Sequence, residues 1–232
     1  MSTPGPDRSR RVSSVLIEGL AERARALVPG SGRAVLGITG APGAGKSTLV
    51  EHLKGELARH PPGGTTGPDW VAHVPMDGFH LADVQLDRLG LRDRKGAPET
   101  FDAAGFAALL NRLRSDTENT IYAPGFEREL EQPIAAAIAV SPQARLVITE
   151  GNYLLLDDPA WAAVRSALDE VWYCEVEPEV RLERLVARHV QFGKQPSAAR
   201  AWAGGVDQPN ADLVERTRDR ADLVISLDSL ER

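Results

Sequence analysis

From about residue 34 onward, short apolar runs alternate with longer segments whose apolar residues fall three or four apart. The short runs are "AVLGIT" (34 to 39), "WVAHVPM" (70 to 76), "RLVIT" (145 to 149), "EVWYCEV" (170 to 176) and "ADLVISL" (221 to 227), each followed closely by a glycine or an acid. They read as strands. Leu49, Val50, Leu53 and Leu57, and then Phe106, Leu109, Leu110 and Leu113, mark amphipathic helices between them. This alternation predicts an α/β fold: a mostly parallel sheet covered on both faces, with ligands at the carboxyl ends of its strands. "HPPGGTTGPD" (60 to 69) reads as a surface connection. Residues 81 to 100 and 116 to 143 are long connections without clean periodicity, which in a small domain are either functional or disordered.

The chain has 232 residues, which suits one substantial domain. We expect a flexible N-terminus over 1 to 12 and a single domain over 13 to 232. Hydrophobic residues make up 42% and charged residues 26%, which argues against wholesale disorder. A formal charge of −6 with no long basic run gives no footprint for nucleic acid or an anionic membrane surface. Cys174 is the single cysteine, so no internal disulfide or cysteine-based zinc site is available. No apolar run approaches the roughly 20 residues that span a bilayer, and the first residues carry no signal-type apolar core. A cytoplasmic protein acting on small molecules is the expectation.

"GITGAPGAGKSTL" (37 to 49) supplies the chemistry. Gly40, Gly45, Lys46 and Ser47 match G-x-x-x-x-G-K-[ST] between an apolar strand and an amphipathic helix, the context that the phosphate-binding P-loop requires. Glycines at 40, 43 and 45 allow successive N–H groups to turn toward phosphate oxygens, and the helix that follows adds its N-terminal dipole. Gly40, Gly43, Ala44, Gly45, Lys46, Ser47 and Thr48 are therefore the candidate nucleotide-binding residues. Lys46 would neutralise the β- and γ-phosphates and Ser47 would ligate Mg²⁺.

Two acids follow strands. Asp77, in "VPMDGFH", is placed to face the P-loop crevice, and the same spacing equally serves a turn-initiating Asp before Gly78. Glu150 follows "RLVIT" and reads either as a site acid or as a solvated carboxylate at a loop entry. Arg181, Arg184 and Arg188 recur on one helical face beside Leu182, Leu185 and Val186, as a solvated basic face or as one that meets anions. No N-K-x-D element of guanine-specific switches and no "LSGGQ" signature is present.

"GAPGAGKST", "MDGFH", "QLDRLGLRDRKGAPETFD", "YAPGFERE", "ITEGNYLLL" and "EVRLERLVARH", in this order, resemble the P-loop small-molecule kinases related to uridine kinase, phosphoribulokinase and bacterial pantothenate kinase. The likeness covers roughly residues 15 to 228. It implies a three-layer P-loop sandwich with a helical lid over about 178 to 205, ATP and Mg²⁺ as cofactors, and transfer of the γ-phosphate to a small-molecule alcohol. By the same resemblance, Asp77 falls on the general base, with Lys46, Arg184 and Arg188 as its catalytic partners. Ser47 and Glu150 fall on the metal side, Arg181 and Arg184 on the nucleotide, and Asn210 and Thr217 on the adenine wall. Trp202 would pack the lid against the body.

Acceptor identity would then come from His80, Arg94, Lys95, Asp102, Tyr122, Phe126, Arg128, Glu150 and Tyr153, a mixture suited to a polar, hydroxylated ligand. "APGFERE" carries proline and acid where pantothenate kinase has histidine and tyrosine, and "DGF" stands where uridine kinases usually read "DSF". The acceptor class is thus a sugar, a nucleoside or a pantothenate-like alcohol. The rival reading is a non-kinase P-loop ATPase acting as a switch or assembly factor, with water as acceptor. Dimerisation is common among the resembling kinases, so a homodimer is left open.

Overall fold

A computed structural model describes residues 8–63 and 67–227. Five parallel strands form its central sheet: β1 (Ala34–Thr39), β2 (Val71–His73), β5 (Leu146–Glu150), β6 (Glu170–Glu175) and β7 (Leu223–Ser226), in the order β2-β5-β1-β6-β7. Each expected strand is present, within a few residues of its expected ends. Side chains leave the sheet alternately on its two faces. Leu36, Ile38, Leu146, Ile148, Trp172 and Cys174 point into one core and Val35, Val147, Val171 and Tyr173 into the other. Helices α1 (Arg8–Ala26) and α2 (Lys46–Arg59) cover the first face through Leu20, Ala24, Leu49 and Leu53. The second face is covered by α4 (Ala103–Ser115), α5 (Pro159–Ser166) and α8 (Gln208–Glu215), through Phe106, Leu110, Trp161 and Val214. The result is the expected three-layer sandwich.

Residues 1–7 lie outside the described residues; of the dozen expected to be flexible, 8–12 fall within α1. Of the connection 60 to 69, residues 64–66 also lie outside. No helix among the described residues is long and apolar enough to cross a membrane.

The two long connections hold structure that the periodicity hides. Residues 81 to 100 contain a two-turn helix, α3 (Asp83–Leu89). Residues 116 to 143 form an antiparallel hairpin of β3 (Ile121–Glu127) and β4 (Gln132–Val140), separate from the main sheet. Pro124 and Pro133 and the exposed alanines of β4 mask it in the sequence, and its register shifts between Ala123 and Gly125. Only one face of the hairpin is buried: Ile121, Ala123 and Val140 join the second core.

Arg33 locks this side together. Its buried guanidinium donates to the carbonyls of Leu113 and Asp116 at the end of α4, and to those of Ser141 and Ala144 after the hairpin, at 2.7–2.9 Å. Beyond β6, the chain forms α6 (Pro178–Gln191), α7 (Pro196–Trp202) and a single π turn, Ala203–Asp207, before α8.

Candidate active site

Parallel pairing of β1 with β5 aligns Ile38 with Glu150, and Gly151 N–H donates to Ile38 O at 3.0 Å. That register sets the P-loop, which leaves β1, beside the acid that ends β5. Ser47 Oγ donates to Glu150 Oε2 at 2.9 Å, and His73 Nε2 lies 3.4 Å from the other carboxylate oxygen. Lys46 Nζ donates to Gly40 O (2.9 Å), Ala41 O (3.1 Å) and Asn152 Oδ1 (2.7 Å). Burial pushes the Lys46 ammonium below its ordinary value, opposed by Glu150, Cys174 and Asp77. The Cys174 thiol, sealed under the loop, is pushed up to about 12 by burial. It is thus a thiol, not a thiolate, near neutrality.

Gly43 has φ 83°, and a Cβ there would meet Leu185 Cγ at 2.8 Å and Arg181 O at 3.0 Å. Only glycine lets α6 sit directly on the loop. This contact also rearranges the arginine stripe. Arg181 is buried behind the loop, donating to Pro42 O at 3.4 Å and to Gln208 Oε1, so it braces α6 against the loop instead of lining the cavity. Leu182, expected on the packed face, is exposed, while Leu185 is fully buried. Arg184 and Arg188 do reach the cavity. Burial, then the neighbouring Arg128, pushes the Arg188 guanidinium down.

Asp77 is not at a strand end. Strand β2 stops at His73, and Pro75 leads into a 3-10 turn, Met76–Phe79, that carries the acid. Val74 N–H still bonds Ile148 O, and Thr149 Oγ1 donates to Val74 O, so the turn is tied to the sheet. The hairpin roofs this turn. A Cβ at Gly78 would collide with the carbonyl of Pro124, so glycine is what lets β3 approach. From the hairpin, Arg128 Nη2 reaches Asp77 Oδ2 at 3.3 Å.

One cavity of about 650 Å³ brings these groups together. Of the sequence-predicted residues it is lined by Gly43, Gly45, Lys46, Ser47, Thr48, Asp77, His80, Lys95, Phe126, Arg128, Glu150, Arg184, Arg188 and Asn210. His80 lies between Phe101 and Phe126, with ring centroids 4.0 and 4.7 Å away and the rings tilted by 41° and 42°, and its Nδ1 bonds Asp77 O at 2.8 Å. Burial pushes this imidazole below 6.5. Lys95 Nζ donates to Asp83 Oδ1 (2.8 Å) and to Glu131 O at the hairpin tip, and Arg92 holds the second Asp83 oxygen at 2.7 Å.

Several expected contacts fall elsewhere. Gly40 packs against Cys174 and Ala44 is buried with its N–H on Ala41 O, so both shape the loop from behind. Asp102 caps α4 by accepting from Gly105 N–H at 2.8 Å and does not line the cavity. Tyr153 is core: its ring packs edge-on to Phe101 and Trp161, its hydroxyl donates to Gly96 O, and burial pushes its ionisation up. Arg94 pairs at the surface with Glu99 at 2.6 Å. Tyr122 points out from β3, opposite the buried Ile121 and Ala123. Thr217 closes the end of α8 on Val214 O at 2.7 Å. Trp202 lines the cavity beneath Lys194, whose Nζ is 4.8 Å from the ring centroid. Asp83, Arg92, Phe101, Glu131, Asn152, His189 and Asp207 line the cavity too and were not among the expected site residues, although Arg92, Phe101, Asn152 and His189 fall within the stretches that carry the family resemblance.

A Schizosaccharomyces pombe protein named "Putative uridine kinase C227.14" is 34% identical to this chain over 209 residues, covering 88% of this chain and 81% of its own. The chain belongs to the uridine-kinase-like P-loop kinases. "Uncharacterized protein YggC" of Escherichia coli is 35% identical over 84% of this chain and 78% of its own. A crystal structure from Silicibacter sp. TM1040, described as a "putative fructose transport system kinase", superposes with a TM-score of 0.79 at 40% identity, covering 92% of this chain and 98% of that one. A profile described as "Methylmalonyl Co-A mutase-associated GTPase MeaB" matches residues 17–63, the segment around the P-loop. The kinase fold, and nucleotide binding by the P-loop, are therefore properties of this chain.

Proposed function

We propose that this kinase transfers the γ-phosphate of ATP, bound with Mg²⁺, to a hydroxyl of a small uncharged polyol, a sugar or the ribose of a nucleoside. The observation that carries the reading is that Asp77 opens on the same cavity as Lys46 and the Ser47–Glu150 pair. Ser47 Oγ and Glu150 are hard oxygen donors in contact. Among the described residues no group of three His, Cys, Asp or Glu side chains forms a metal cage. That donor set suits Mg²⁺, which takes one or two protein oxygens and fills its shell with phosphate and water. When bound, Mg²⁺ supplies charge neutralisation for the phosphates.

Lys46 and the loop N–H groups hold the triphosphate, and Arg184 and Arg188 on the lid face the phosphates with fixed positive charge. Asp77 orients the acceptor hydroxyl and takes its proton. The lid and the hairpin exclude water, so the bound alcohol outcompetes hydrolysis. On the acceptor side the charges compensate in pairs: Arg128 with Asp77, and both Lys95 and Arg92 with Asp83. Arg92 also lies 3.5 Å from Asp87, so these three cations face three carboxylates. His80, Phe101 and Phe126 add a cluster of mutually tilted aromatic rings. The words "uridine" and "fructose" in the names of the relatives agree with a neutral, hydroxylated acceptor.

ADP release measured with a panel of sugars, nucleosides, pantothenate and hydroxy acids tests this. Stimulation by a neutral polyol, with a phosphorylated product, is the expected outcome. Stimulation by hydroxy acids alone overturns the acceptor class, and stimulation only by a macromolecule overturns the kinase reading in favour of a switch.

A further inference from the structure

Lys46 has three N–H bonds, and the structure assigns all of them: Gly40 O, Ala41 O and Asn152 Oδ1. A phosphate oxygen cannot be added without giving one up. The two carbonyls belong to the loop's own backbone and stay with its fold. Asn152 differs, because its backbone is fixed while its side chain projects into the cavity. Its carbonyl accepts from Thr39 Oγ1 at 3.1 Å, and the preceding Gly151 is held by Ile38 O and packs so closely on Met76 that a Cβ would meet Met76 Cβ at 2.6 Å. What can move is the Asn152 amide, whose other side-chain hydrogen bond is with the adjacent Tyr153. Its bond to Lys46 is also the shortest of the three, at 2.7 Å.

We infer that Asn152 is the exchangeable ligand of the P-loop lysine: its amide oxygen stands where a phosphate oxygen will stand, and it releases the ammonium when the triphosphate arrives. In the free protein this keeps a buried cation hydrogen-bonded, which matters because an unsatisfied buried charge is costly. It also makes Asn152 a competitor of the nucleotide. Asn152 is thus a positioning residue acting through Lys46. The inference rests on the kinase reading only in requiring that a triphosphate occupy the loop.

Replacing Asn152 removes the competitor from the free state and nothing from the bound state. For Asn152→Ala the Kd of a non-hydrolysable ATP analogue with Mg²⁺, measured by calorimetry, should fall by about threefold to tenfold, the part of a charged hydrogen bond that water does not replace. Melting of the free variant should lie below wild type, and saturation with the analogue should close the gap. Asn152→Asp should act in the opposite sense. A carboxylate holds the ammonium harder and repels phosphate, so Kd should rise by about tenfold or more. An unchanged or raised Kd for Asn152→Ala, with melting lowered equally in both states, would mean a merely structural amide and overturns the inference. Failure of the wild-type protein to bind the analogue would instead sink the kinase reading, and the exchange with it.

Discussion

Asp77→Asn separates catalysis from folding. The Asp77–Arg128 contact is 3.3 Å long, with 35% and 42% of the two side chains exposed. An ion pair that open to solvent stabilises by about 0–1 kcal/mol. Asparagine keeps an oxygen for Arg128 and the same shape against the turn, so the change in folding stability should stay below about 1 kcal/mol. The rate should behave differently. Losing a positioned proton acceptor costs on the order of 10²–10⁴ in kcat, or about 2.7–5.4 kcal/mol of barrier at about 1.36 kcal/mol per decade. Phosphoryl transfer has a loose transition state, which favours the lower part of that range. The assay is ADP release with the acceptor that stimulates most, run beside thermal melting and binding of the ATP analogue. Melting and nucleotide affinity should match wild type while turnover collapses. A loss in turnover below about tenfold, or one accompanied by a comparable loss of stability, refutes the role of Asp77 as base.

Three further outcomes follow from the same geometry. Gly78→Ala puts a Cβ into the Pro124 carbonyl; the hairpin must shift, so kcat/KM for the acceptor should fall by at least about tenfold while affinity for the ATP analogue holds. Burial keeps the His80 imidazole below 6.5 in the folded state, so as pH falls through and below that value the unfolded chain binds the proton first. Stability should therefore drop on acidification there, by up to about 1.4 kcal/mol per pH unit, and chemical denaturation of His80→Asn across pH should show a shallower slope. Arg33→Met leaves four carbonyls without their buried donor; denaturant unfolding should show a loss of about 2–4 kcal/mol, and an effect under about 1 kcal/mol would show that water replaces the guanidinium.

The exchange at Lys46 and the collision at Gly78 share an origin. In each, a segment that carries chemistry is held against one far from it in the chain: Asn152 against the P-loop, and β3 against the Asp77 turn. The distant partner decides how the motif behaves. Likewise the arginine stripe reads as one face of a helix, yet packing of α6 on Gly43 divides it into a buried brace, Arg181, and two groups aimed at the cavity.

By itself the sequence determined what is local and periodic. Strand alternation and the three-to-four spacing of leucines follow from backbone geometry, so the strands, the covering helices and the sandwich could be read directly. The P-loop was legible because its chemistry resides in consecutive residues: glycine φ freedom, N–H groups and Lys46 all lie on one turn. Asp77 and Glu150 were legible as acids after apolar runs. Only the tertiary structure decided the acceptor side. The hairpin buries one narrow face on a distant core, but Tyr122 and the alanines on its exposed face are apolar too, so the alternation does not show in the sequence. Asp83, Arg92, Glu131 and Asn152 come from separate elements and meet across the cavity. Asp102, Tyr153 and Arg94 carry the right functional groups, but a helix cap, an aromatic core and a surface ion pair claim them first. Which partner claims a polar side chain depends on contacts between residues far apart in the chain, and spacing along the sequence does not encode them.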